Sequence, residues 1–496
     1  IWHSLPYAAP PIGNNRWRAP IPIEQQPGPV PHFYVGAWNV APKCVQGAPT
    51  WNNYTPEGSE DCLYLDVVAP RSVLKSNKTL PVVVRIHGGG FTQGWSDWDA
   101  GIALHRHAPD SLIWVSIQYR LGAYGFLGGD DVAKNGVFNA GLLDQRLAIE
   151  WVKRHIQAFG GDSERITIEG GSAGGGSVTA QLMLFGGKEP APFKAAMPEL
   201  PWWQPFHDKK IQEIQYHDLL NLTKCSSIAC LRNLTEAELS NATWNMYATG
   251  YQKKAYGYGD FYFGPIVDTK GGTILDLPSR EFAKGNIQSV PLLSTRSEYE
   301  GFYFSNQSIT TESELVADLQ QVFPAATPSF FASLFQLYPA KDYNSTFFRR
   351  QDIFGDFIID CPSRWTLEAG VKKGQPTYKL ISNAGTQKHG SDSDFVYNDQ
   401  FERNNVTLAE YMKDWFISFM IHQNPNNQSW ISQKKPHWPS YNDNHQTLLI
   451  TYASIETIKD EDYSLKCEFW KKNPEVTRNK RRNLVSIPRR RSIAME

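Results

Sequence analysis

A β-strand, a turn of glycines and a helix are predicted in succession between residues 165 and 185. The stretch RITI at 165–168 is typical of a strand, and SVTAQLMLF at 177–185 is typical of the start of a helix. Between them lies EGGSAGGGS, in which Ser172 is surrounded by glycines. Glycine weakens helices and strands alike, so we expect this density of it only where the backbone must turn sharply. A junction of this kind is typical of α/β proteins, which use it for chemistry or for phosphate binding.

The rest of the chain continues the alternation of strands and helices. Apolar and β-branched runs predict further strands at 63–70, 80–91, 112–120, 290–294 and 377–382. Helical spacing predicts helices at 139–161 and 407–422, while the first 60 residues look irregular and 186–290 predicts short helices and loops. Strands that alternate with helices in this way predict an α/β fold with a large, mostly parallel central sheet and helices on both faces.

One large domain is predicted for residues 1–470. No internal repeat and no clear linker occurs before residue 471, and 41% hydrophobic content is a globular value. The remainder, 471–496, carries nine Lys/Arg against two Glu and predicts a basic, disordered tail. Because the whole chain has a net charge of −1, the body without this tail is mildly acidic and gives no indication of nucleic-acid binding.

The compartment is indicated by glycosylation motifs. Nine Asn-x-Ser/Thr sequons occur, at Asn53, Asn77, Asn221, Asn233, Asn241, Asn306, Asn344, Asn405 and Asn427. So many sequons favour a secreted glycoprotein, although the printed sequence contains no signal peptide. No run of 18 apolar residues is present, so we predict no transmembrane segment.

The six cysteines favour the same oxidising compartment. Their residues are Cys44, Cys62, Cys225, Cys230, Cys361 and Cys467. None forms a CxxC pair and no histidine is spaced with them as in a zinc site, so disulfides are favoured over metal ligation. Six cysteines allow fifteen pairings, among which spacing alone does not choose.

The glycine turn has the spacing of a nucleophile elbow. Gly170 to Gly174 reads G-x-S-x-G, and its place after a strand and before a helix strengthens an otherwise weak motif. The sharp turn strains the serine backbone and lifts the hydroxyl clear of the sheet, with the positive end of the helix pointing at it. Ser172 is therefore the predicted nucleophile.

A second glycine turn upstream predicts hydrogen-bond donors for an oxyanion. HGGG at 87–90 closes the strand LPVVVRI, and its glycines let backbone N–H groups face a cavity. Alone it is equally consistent with an ordinary loop, but together with the elbow it favours acyl transfer. His87 precedes the turn, so we expect a structural role for it.

The chain resembles the type-B carboxylesterase and cholinesterase-like lipase family of the α/β hydrolases. The matching stretches include LPYAAPPIGNNRWRAP, SEDCLYLDV, VVVRIHGGGF, NAGLLDQRLAIEWVKRHIQAFGGD, GGSAGGGSV and KHGSDSDFVY. The resemblance covers nearly all of residues 1–470, and the middle, CSSIACLRNL, is most similar to secreted fungal carboxylesterases. It implies the α/β-hydrolase fold and a serine carboxylesterase that needs no metal or organic cofactor.

The resemblance also implies roles for particular residues. The triad acid is Glu300, which precedes a glycine; Glu298 is its competitor and lacks that glycine. The base is His389, so that Ser172, Glu300 and His389 follow the order of the α/β hydrolases. The backbone N–H groups of Gly89, Gly90 and Ala173 would bind the oxyanion. The implied disulfides are Cys44–Cys62, Cys225–Cys230 and Cys361–Cys467.

The chain departs from the family pattern in two places. Many members have Glu directly before the nucleophile, where this chain has Gly171, which weakens the case for a cationic substrate. Trp51 is similar in position to the tryptophan that stacks on choline in cholinesterases, but packing is the more common role of a lone Trp. Members also carry a short strand pair before the LPYA-like stretch, so we expect an edge element to be missing before Ile1.

Several substrate classes are open at this point. The first cysteine loop is short and polar, which favours an esterase for soluble short or medium esters over an interfacially activated lipase or a cholinesterase-type enzyme. Trp202, Trp203 and Phe206 are expected either to line the pocket or to pack against a surface helix. A non-catalytic binding or adhesion protein is disfavoured, because such relatives typically lack the nucleophile and this chain retains Ser172.

Overall fold

The computed structural model describes residues 1–26, 41–52, 54–75, 78–268, 272–397 and 405–476. Lys471 and Lys472, at the start of the predicted tail, end a helix, whereas 477–496 lie outside the described residues. The candidate glycosylation sites Asn53 and Asn77 also lie outside them.

Ten strands of the described residues form one sheet. They are β1 (Trp2–Pro6), β2 (Tyr64–Val68), β3 (Leu80–Ile86), β4 (Ile113–Ile117), β5 (Gly161–Gly171), β6 (Ala195–Glu199), β7 (Leu292–Ser297), β8 (Thr377–Asn383), β9 (Gln446–Thr451) and β10 (Ile455–Lys459). Their order is β1-β2-β4-β3-β5-β6-β7-β8-β9-β10. The seven strands from β4 to β9 in this order run parallel, and antiparallel pairs close both edges.

Sixteen α-helices of the described residues surround the sheet. They are α1 (Trp98–His107), α2 (Gly122–Phe126), α3 (Asp130–Asn135), α4 (Ala140–His155), α5 (Ala173–Met183), α6 (Lys209–Thr223), α7 (Ile228–Arg232), α8 (Glu236–Gln252), α9 (Pro278–Lys284), α10 (Glu312–Val322), α11 (Pro328–Leu337), α12 (Thr346–Gly355), α13 (Cys361–Lys372), α14 (Ser391–Tyr397), α15 (Val406–His422) and α16 (Leu465–Lys472). A π-helical turn, Asp356–Asp360, joins α12 to α13. None of these helices has the length and hydropathy that crossing a bilayer requires.

Alternating side chains of the sheet build two apolar cores. Val82, Val84 and Ile86 of β3 point to one face, where they pack in the core that includes residues of α4 and α5. Val83 points to the other face, into the core that includes residues of α1 and α15. Period-2 alternation on a sheet covered on both sides explains why these strands are apolar throughout. The prediction of a mostly parallel sheet with helices on both faces is confirmed.

The differences from the predicted elements have local causes. The first 60 residues, predicted to be irregular, contribute the edge strand β1. Its five residues, WHSLP, include a proline and no β-branched residue, which explains why the sequence gives little sign of this strand. β6 was not predicted because AAMPE contains a proline and a glutamate, which are uncommon in a central strand. The helix expected from 177 begins earlier, at Ala173, directly after the turn at Ser172.

Candidate active site

The strand-to-helix turn holds Ser172 in a strained backbone conformation. Its φ of +60° and ψ of −126° lie in a region that non-glycine residues rarely adopt. A side chain at Gly174 would overlap the carbonyl oxygen of Ile86, and one at Gly170 would lie 2.6 Å from the same oxygen. The glycines therefore let α5 begin directly against the end of β3, and the turn presents Ser172 at the carboxyl edge of the sheet.

The upstream glycine turn lies beside Ser172. Gly89 and Gly90 have φ of +101° and +63°, which glycine adopts without penalty. A side chain at Gly88 would lie 3.2 Å from the Cβ atom of Ser172, so this turn and the elbow are in direct contact. In the described part of the chain, no group accepts a hydrogen bond from the backbone N–H of Gly89, Gly90 or Ala173. These three donors are thus available to a ligand.

His87 packs against this turn and donates a hydrogen bond to it. Its ring stacks on Tyr119 with 4.4 Å between ring centroids, and its Nδ1 lies 2.8 Å from the carbonyl oxygen of Gly88. Burial lowers the pKa of His87 to about 4, so the imidazole is neutral and its Nδ1–H donates to Gly88. The structure agrees with the structural role expected for His87.

Glu300 and His389 are joined by a short hydrogen bond. The Oε2 atom of Glu300 lies 2.5 Å from Nδ1 of His389, and Oε1 accepts a 2.5 Å hydrogen bond from the backbone N–H of Ser297. Two backbone contacts bring their loops together: Tyr299 pairs with Lys388 in an isolated parallel bridge, and Tyr299 N–H donates to Gln387. Because β7 and β8 are parallel neighbours, the residues that follow them meet at one edge of the sheet.

The competing acid, Glu298, points elsewhere. Its carboxylate lies 4.0 Å from Nη1 of Arg296, and a third of its side chain is exposed. Glu300 is buried and holds the histidine. Of the two acids weighed from the sequence, only Glu300 contacts His389.

A cavity of about 570 Å³ brings these groups together. Its wall includes the hydroxyl-bearing Ser172, the base His389 and the glycine turn. The other lining residues are Trp51, Asn52, Arg85, Gln93, Gly171, Leu200, Phe261, Tyr303, Phe304, Gly390 and Ser393. The cavity is mixed in character, because its wall contains aromatic side chains together with a guanidinium, two amides and three hydroxyls.

The first part of the first cysteine loop is packed next to the cavity, while its residues 55–58 are exposed. Residues 44–49 are buried, and Gly47 N–H donates to the carbonyl of Thr92, next to the glycine turn. The side-chain amide of Gln46 exchanges hydrogen bonds with both backbone groups of Gly94. Trp51 donates from its indole N–H to Asp260 and packs against Phe261, while its ring also lines the cavity. Trp51 therefore has the packing role that was expected, and one part of its ring also faces the cavity.

The tryptophan pair after β6 packs behind the cavity. Trp202 lies edge-on to Phe304, 4.5 Å between ring centroids, and Phe304 in turn contacts the ring of His389. Trp203 packs against Phe282 and Trp365, away from Ser172. These residues and Phe206 are absent from the cavity wall, so of the two expected uses the structure shows packing.

A buried cluster of acids beneath the nucleophile was not foreseen. Glu199 ends β6 opposite Gly171, and its backbone oxygen accepts from Ser172 N–H. Its carboxyl accepts from the hydroxyl of Tyr397, and burial, followed by the charge of Glu169, raises its pKa well above the usual value. Arg85 contacts both Glu169 and Asp97. Nothing in the local sequence shows that these side chains share one face, since only the sheet register brings them together.

Asp392 adds a further buried carboxyl next to the base. It accepts from the hydroxyl of Thr295 at 2.5 Å and from the backbone N–H of Ser393 at 2.8 Å. Burial raises its pKa to about 6, with the nearby charge of Glu300 contributing. The sequence alone indicates no role for Asp392, although it follows His389 by three positions in the motif KHGSDSDFVY.

The cysteines pair as Cys44–Cys62, Cys225–Cys230 and Cys361–Cys467. These are the three pairs that the family resemblance implied. One group with metal-ligand geometry occurs in the described ranges, Asp356 with Cys361 and Cys467. Its two sulfurs are joined in a disulfide and offer no thiolate, so we assign it no metal.

The candidate glycosylation sites that the structure describes lie at or near the surface. Five have exposed side chains: Asn221, Asn233, Asn241, Asn344 and Asn427. Asn306 and Asn405 are half-buried, and the side chain of Asn405 accepts from Leu408 N–H at the start of α15. The exposed set is accessible to a glycan.

Comparisons with known proteins find one family of enzymes and one fold. A sequence model described as "Carboxylesterase family" matches residues 1–470. The chain is 30% identical over 452 residues to "Carboxylesterase patB" of Penicillium expansum, covering 86% of this chain and 78% of the relative. It is 26% identical to "Secreted lipase 4" of Gibberella zeae, covering 96% of this chain and 88% of the relative. The crystal structure of Aspergillus niger EstA superposes with a TM-score of 0.84 at 26% identity, covering 96% and 95% of the two chains.

Proposed function

The chain belongs to the carboxylesterase family and is a carboxylic ester hydrolase of the α/β-hydrolase fold, and we propose that it is a secreted serine esterase with Ser172 as nucleophile. The observation that carries the proposal is the 2.5 Å hydrogen bond between Glu300 and His389, in a cavity that also holds Ser172. A nucleophile, a base and an orienting acid are the minimum for acyl transfer by a serine.

The first half of the reaction forms an acyl-enzyme. His389 takes the proton of the Ser172 hydroxyl as its oxygen attacks the ester carbonyl. Glu300 accepts from Nδ1–H of His389, which fixes the tautomer that leaves Nε2 free to act and stabilises the imidazolium that forms. His389 then gives the proton to the leaving alcohol.

The oxyanion is stabilised by the backbone donors around the cavity. The N–H groups of Gly89, Gly90 and Ala173 have no other acceptor in the described ranges and are held on two rigid turns. Ala173 is also the first residue of α5, so the positive end of the helix faces the developing charge. In the second half, His389 activates water, which attacks the acyl-enzyme and releases the acid.

The packed cysteine loop favours an esterase over a lipase. A lid that opens at a lipid surface has to leave the body of the protein, but residues 44–49 are buried and tied to the glycine turn, so only the short exposed part around 55–58 could move in this way. Soluble esters of short or medium acyl chains fit an open cavity of about 570 Å³. The alternative has its own support, because relatives of this chain are named lipases.

A choline ester is a less favourable substrate. Cation recognition by Trp51 would be strengthened by an unpaired carboxylate nearby. Gly171 supplies no carboxylate beside the nucleophile, and the carboxylates of Asp97 and Glu169 are already paired with Arg85. The disfavoured alternative of a non-catalytic binding protein would leave the free oxyanion donors without a use.

Secretion is supported by three independent features. The structure forms three disulfides, five exposed sequons are available, and several relatives are named secreted lipases. Disulfides persist in oxidising compartments. We propose one hydrolase domain over residues 1–470, followed by a basic tail.

Hydrolysis of a soluble aryl ester tests the proposed function. The initial rate with a short-chain nitrophenyl ester is measured for the chain as printed and for Ser172→Ala. We expect the variant to lose about 10⁴-fold or more in kcat while keeping the same thermal unfolding midpoint. A folded variant that retains a tenth of the activity would exclude Ser172 as the nucleophile. A rate that rises sharply when a poorly soluble ester forms droplets would favour the lipase alternative.

A further inference from the structure

The absence of a side chain at Gly171 opens a recess beside the nucleophile. A Cβ atom placed there would meet nothing closer than the hydroxyl of Ser393, at 3.9 Å. The cavity wall continues through this gap to Arg85 of β3 and Ser393 of α14. We call the space between Gly171, Arg85 and Ser393 the Gly171 recess.

Arg85 brings unused hydrogen-bond donors to this recess. Its Nε donates to Asp97 at 3.0 Å and its Nη1 donates to Glu169, while its guanidinium stacks on Tyr397. Its Nη2 donates to no residue of the described ranges and is not among the buried polar atoms that lack a partner. Because Arg85 lines the cavity, at least this amino group is presented to a ligand.

The charge around Arg85 decides what kind of acceptor fits. The carboxylates of Asp97 and Glu169 already contact the guanidinium, so the recess has no excess positive charge. A further carboxylate would be desolvated next to these two acids and repelled by them. An uncharged hydroxyl, ether or carbonyl oxygen accepts from Nη2 without that penalty. The hydroxyl of Ser393 offers the same oxygen a second hydrogen-bond donor.

The Gly171 recess lies on the side of the site where the leaving alcohol is expected. Ser393 lies in the first turn of α14, four residues after His389, and both side chains line the cavity. In the proposed reaction His389 protonates the departing oxygen, so the alcohol must lie on the side of the base. The recess therefore extends from the position of the alcohol and not from the acyl chain.

We infer that the Gly171 recess binds an uncharged oxygen substituent on the alcohol part of the ester, with Arg85 as a specificity-determining residue. The preferred substrates are then esters of short polyols or other oxygen-bearing alcohols. This inference rests on the proposed serine esterase function and adds to it the class of alcohol.

Three butyrate esters with the same two-carbon spacer after the ester oxygen test the inference. They are propyl butyrate, 2-hydroxyethyl butyrate and 3-butyryloxypropanoate, which present a methyl, a hydroxyl and a carboxylate to the recess. Each kcat/KM is divided by the rate of hydroxide-catalysed hydrolysis of the same ester, which removes differences in intrinsic reactivity. We expect the hydroxyl ester to exceed the methyl ester by tenfold or more, which corresponds to about 1.4 kcal/mol, and to exceed the carboxylate ester too.

Two variants connect the preference to the recess. Arg85→Met keeps an unbranched stem and removes the donors, so the ratio of hydroxyl to methyl ester falls to about one. Because it leaves Asp97 and Glu169 without their partner, it can fail to fold. Gly171→Val fills the recess and leaves the guanidinium and its partners in place, and we expect the same loss of preference. Labelling by a fluorophosphonate shows that each purified variant retains an assembled site.

The outcomes separate the two proposals. A wild-type ratio near one with rapid hydrolysis of both esters overturns the role of the recess and leaves the esterase function intact. A preference for the carboxylate ester also overturns it, as does a tenfold preference that Gly171→Val retains. Failure of the wild-type protein to hydrolyse any of the three esters instead overturns the proposed function, and the inference with it.

Discussion

Two glutamates two positions apart show how finely the site is specified at the residue scale. Glu298 and Glu300 follow the same strand, but only Glu300 turns inward to His389, while Glu298 contacts Arg296. The chain reversal after β7 determines which side chain is buried, and Gly301 permits it because a side chain there would overlap the backbone of Gln351. The motif preference for an acid followed by glycine thus has a steric cause.

Replacement of each of these two acids by glutamine gives a matched test. Glu300→Gln keeps the size of the side chain but lets the amide hold the wrong tautomer of His389, so we expect kcat to fall by about 10³–10⁴-fold. Glu298→Gln should retain most of the activity, because its carboxylate is a third exposed and contacts Arg296, whereas His389 contacts Glu300. Steady-state kinetics with one soluble ester measures both. The assignment of the acid is wrong if Glu298→Gln shows the larger loss.

The lowered pKa of His87 predicts that the unfolding free energy depends on pH. Its pKa is about 4 in the folded chain against 6.5 for an ordinary histidine, so only the unfolded chain takes up this proton between pH 6.5 and pH 4. The contribution of His87 to the unfolding free energy is complete above pH 6.5 and is lost as the pH falls from 6.5 to 4. From pH 7 to pH 4.5 we expect the wild-type protein to lose about 2 kcal/mol more unfolding free energy than His87→Phe.

Urea unfolding at the two pH values measures this difference. The variant keeps an aromatic ring against Tyr119 and cannot titrate. Equal losses in the two proteins would show that His87 is protonated in the folded state.

At the scale of elements, the site depends on how closely the start of α5, the end of β3 and the glycine turn after β3 approach one another. The start of α5 lies against the end of β3, because Gly174 brings its backbone next to the carbonyl oxygen of Ile86. The same close approach places Ala173 N–H near the glycine turn that follows β3. Small residues at this junction therefore set the distance between the oxyanion donors and Ser172.

Gly174→Ala should disrupt this junction. The added methyl group would overlap backbone atoms that cannot move independently, so we expect a loss of about 2 kcal/mol or more in unfolding free energy together with most of the activity. Gly171→Ala is the control for stability, because its methyl group meets nothing within 3.4 Å. Thermal unfolding of both variants distinguishes the two positions, and similar midpoints would contradict the packing described.

The elements also show what could be predicted from the sequence. Strands β3 and β5, helices α4 and α15 and the two glycine turns have strong local patterns, and their predicted positions are confirmed. Glu300 and His389 could be found because each stands in a distinctive motif. Arg85 and Glu199 could not, because each is one charged residue at the end of a strand. Their places next to the nucleophile, Arg85 in the cavity wall and Glu199 buried behind it, depend on a sheet register that no local pattern encodes.

At the scale of the whole molecule, the disulfides connect distant parts of the chain to different degrees. Cys361–Cys467 spans 106 residues and fixes α16 against α13, whereas Cys225–Cys230 spans five. In the chain-entropy account, a longer loop restricts the unfolded chain more. The stabilisation should therefore differ between the two bonds.

Paired replacement by alanine measures that difference. Loss of Cys361–Cys467 should cost about 4–5 kcal/mol of unfolding free energy, and loss of Cys225–Cys230 about 2 kcal/mol. Denaturant unfolding of the two double variants under identical conditions gives both values. A larger cost for the shorter loop would show that the entropy of the unfolded chain is not the main contribution.

The central claim is that Ser172, His389, Glu300 and the two glycine turns form one working site. A fluorophosphonate tests it most directly, because the reagent reacts only with a serine that is activated by a base and faces an oxyanion hole. We would label the native protein and Ser172→Ala and locate the adduct by peptide mass mapping. The account predicts a single adduct on the peptide that contains Ser172, absent from the variant. A folded native protein that forms no adduct, or forms it on another serine, would contradict the account.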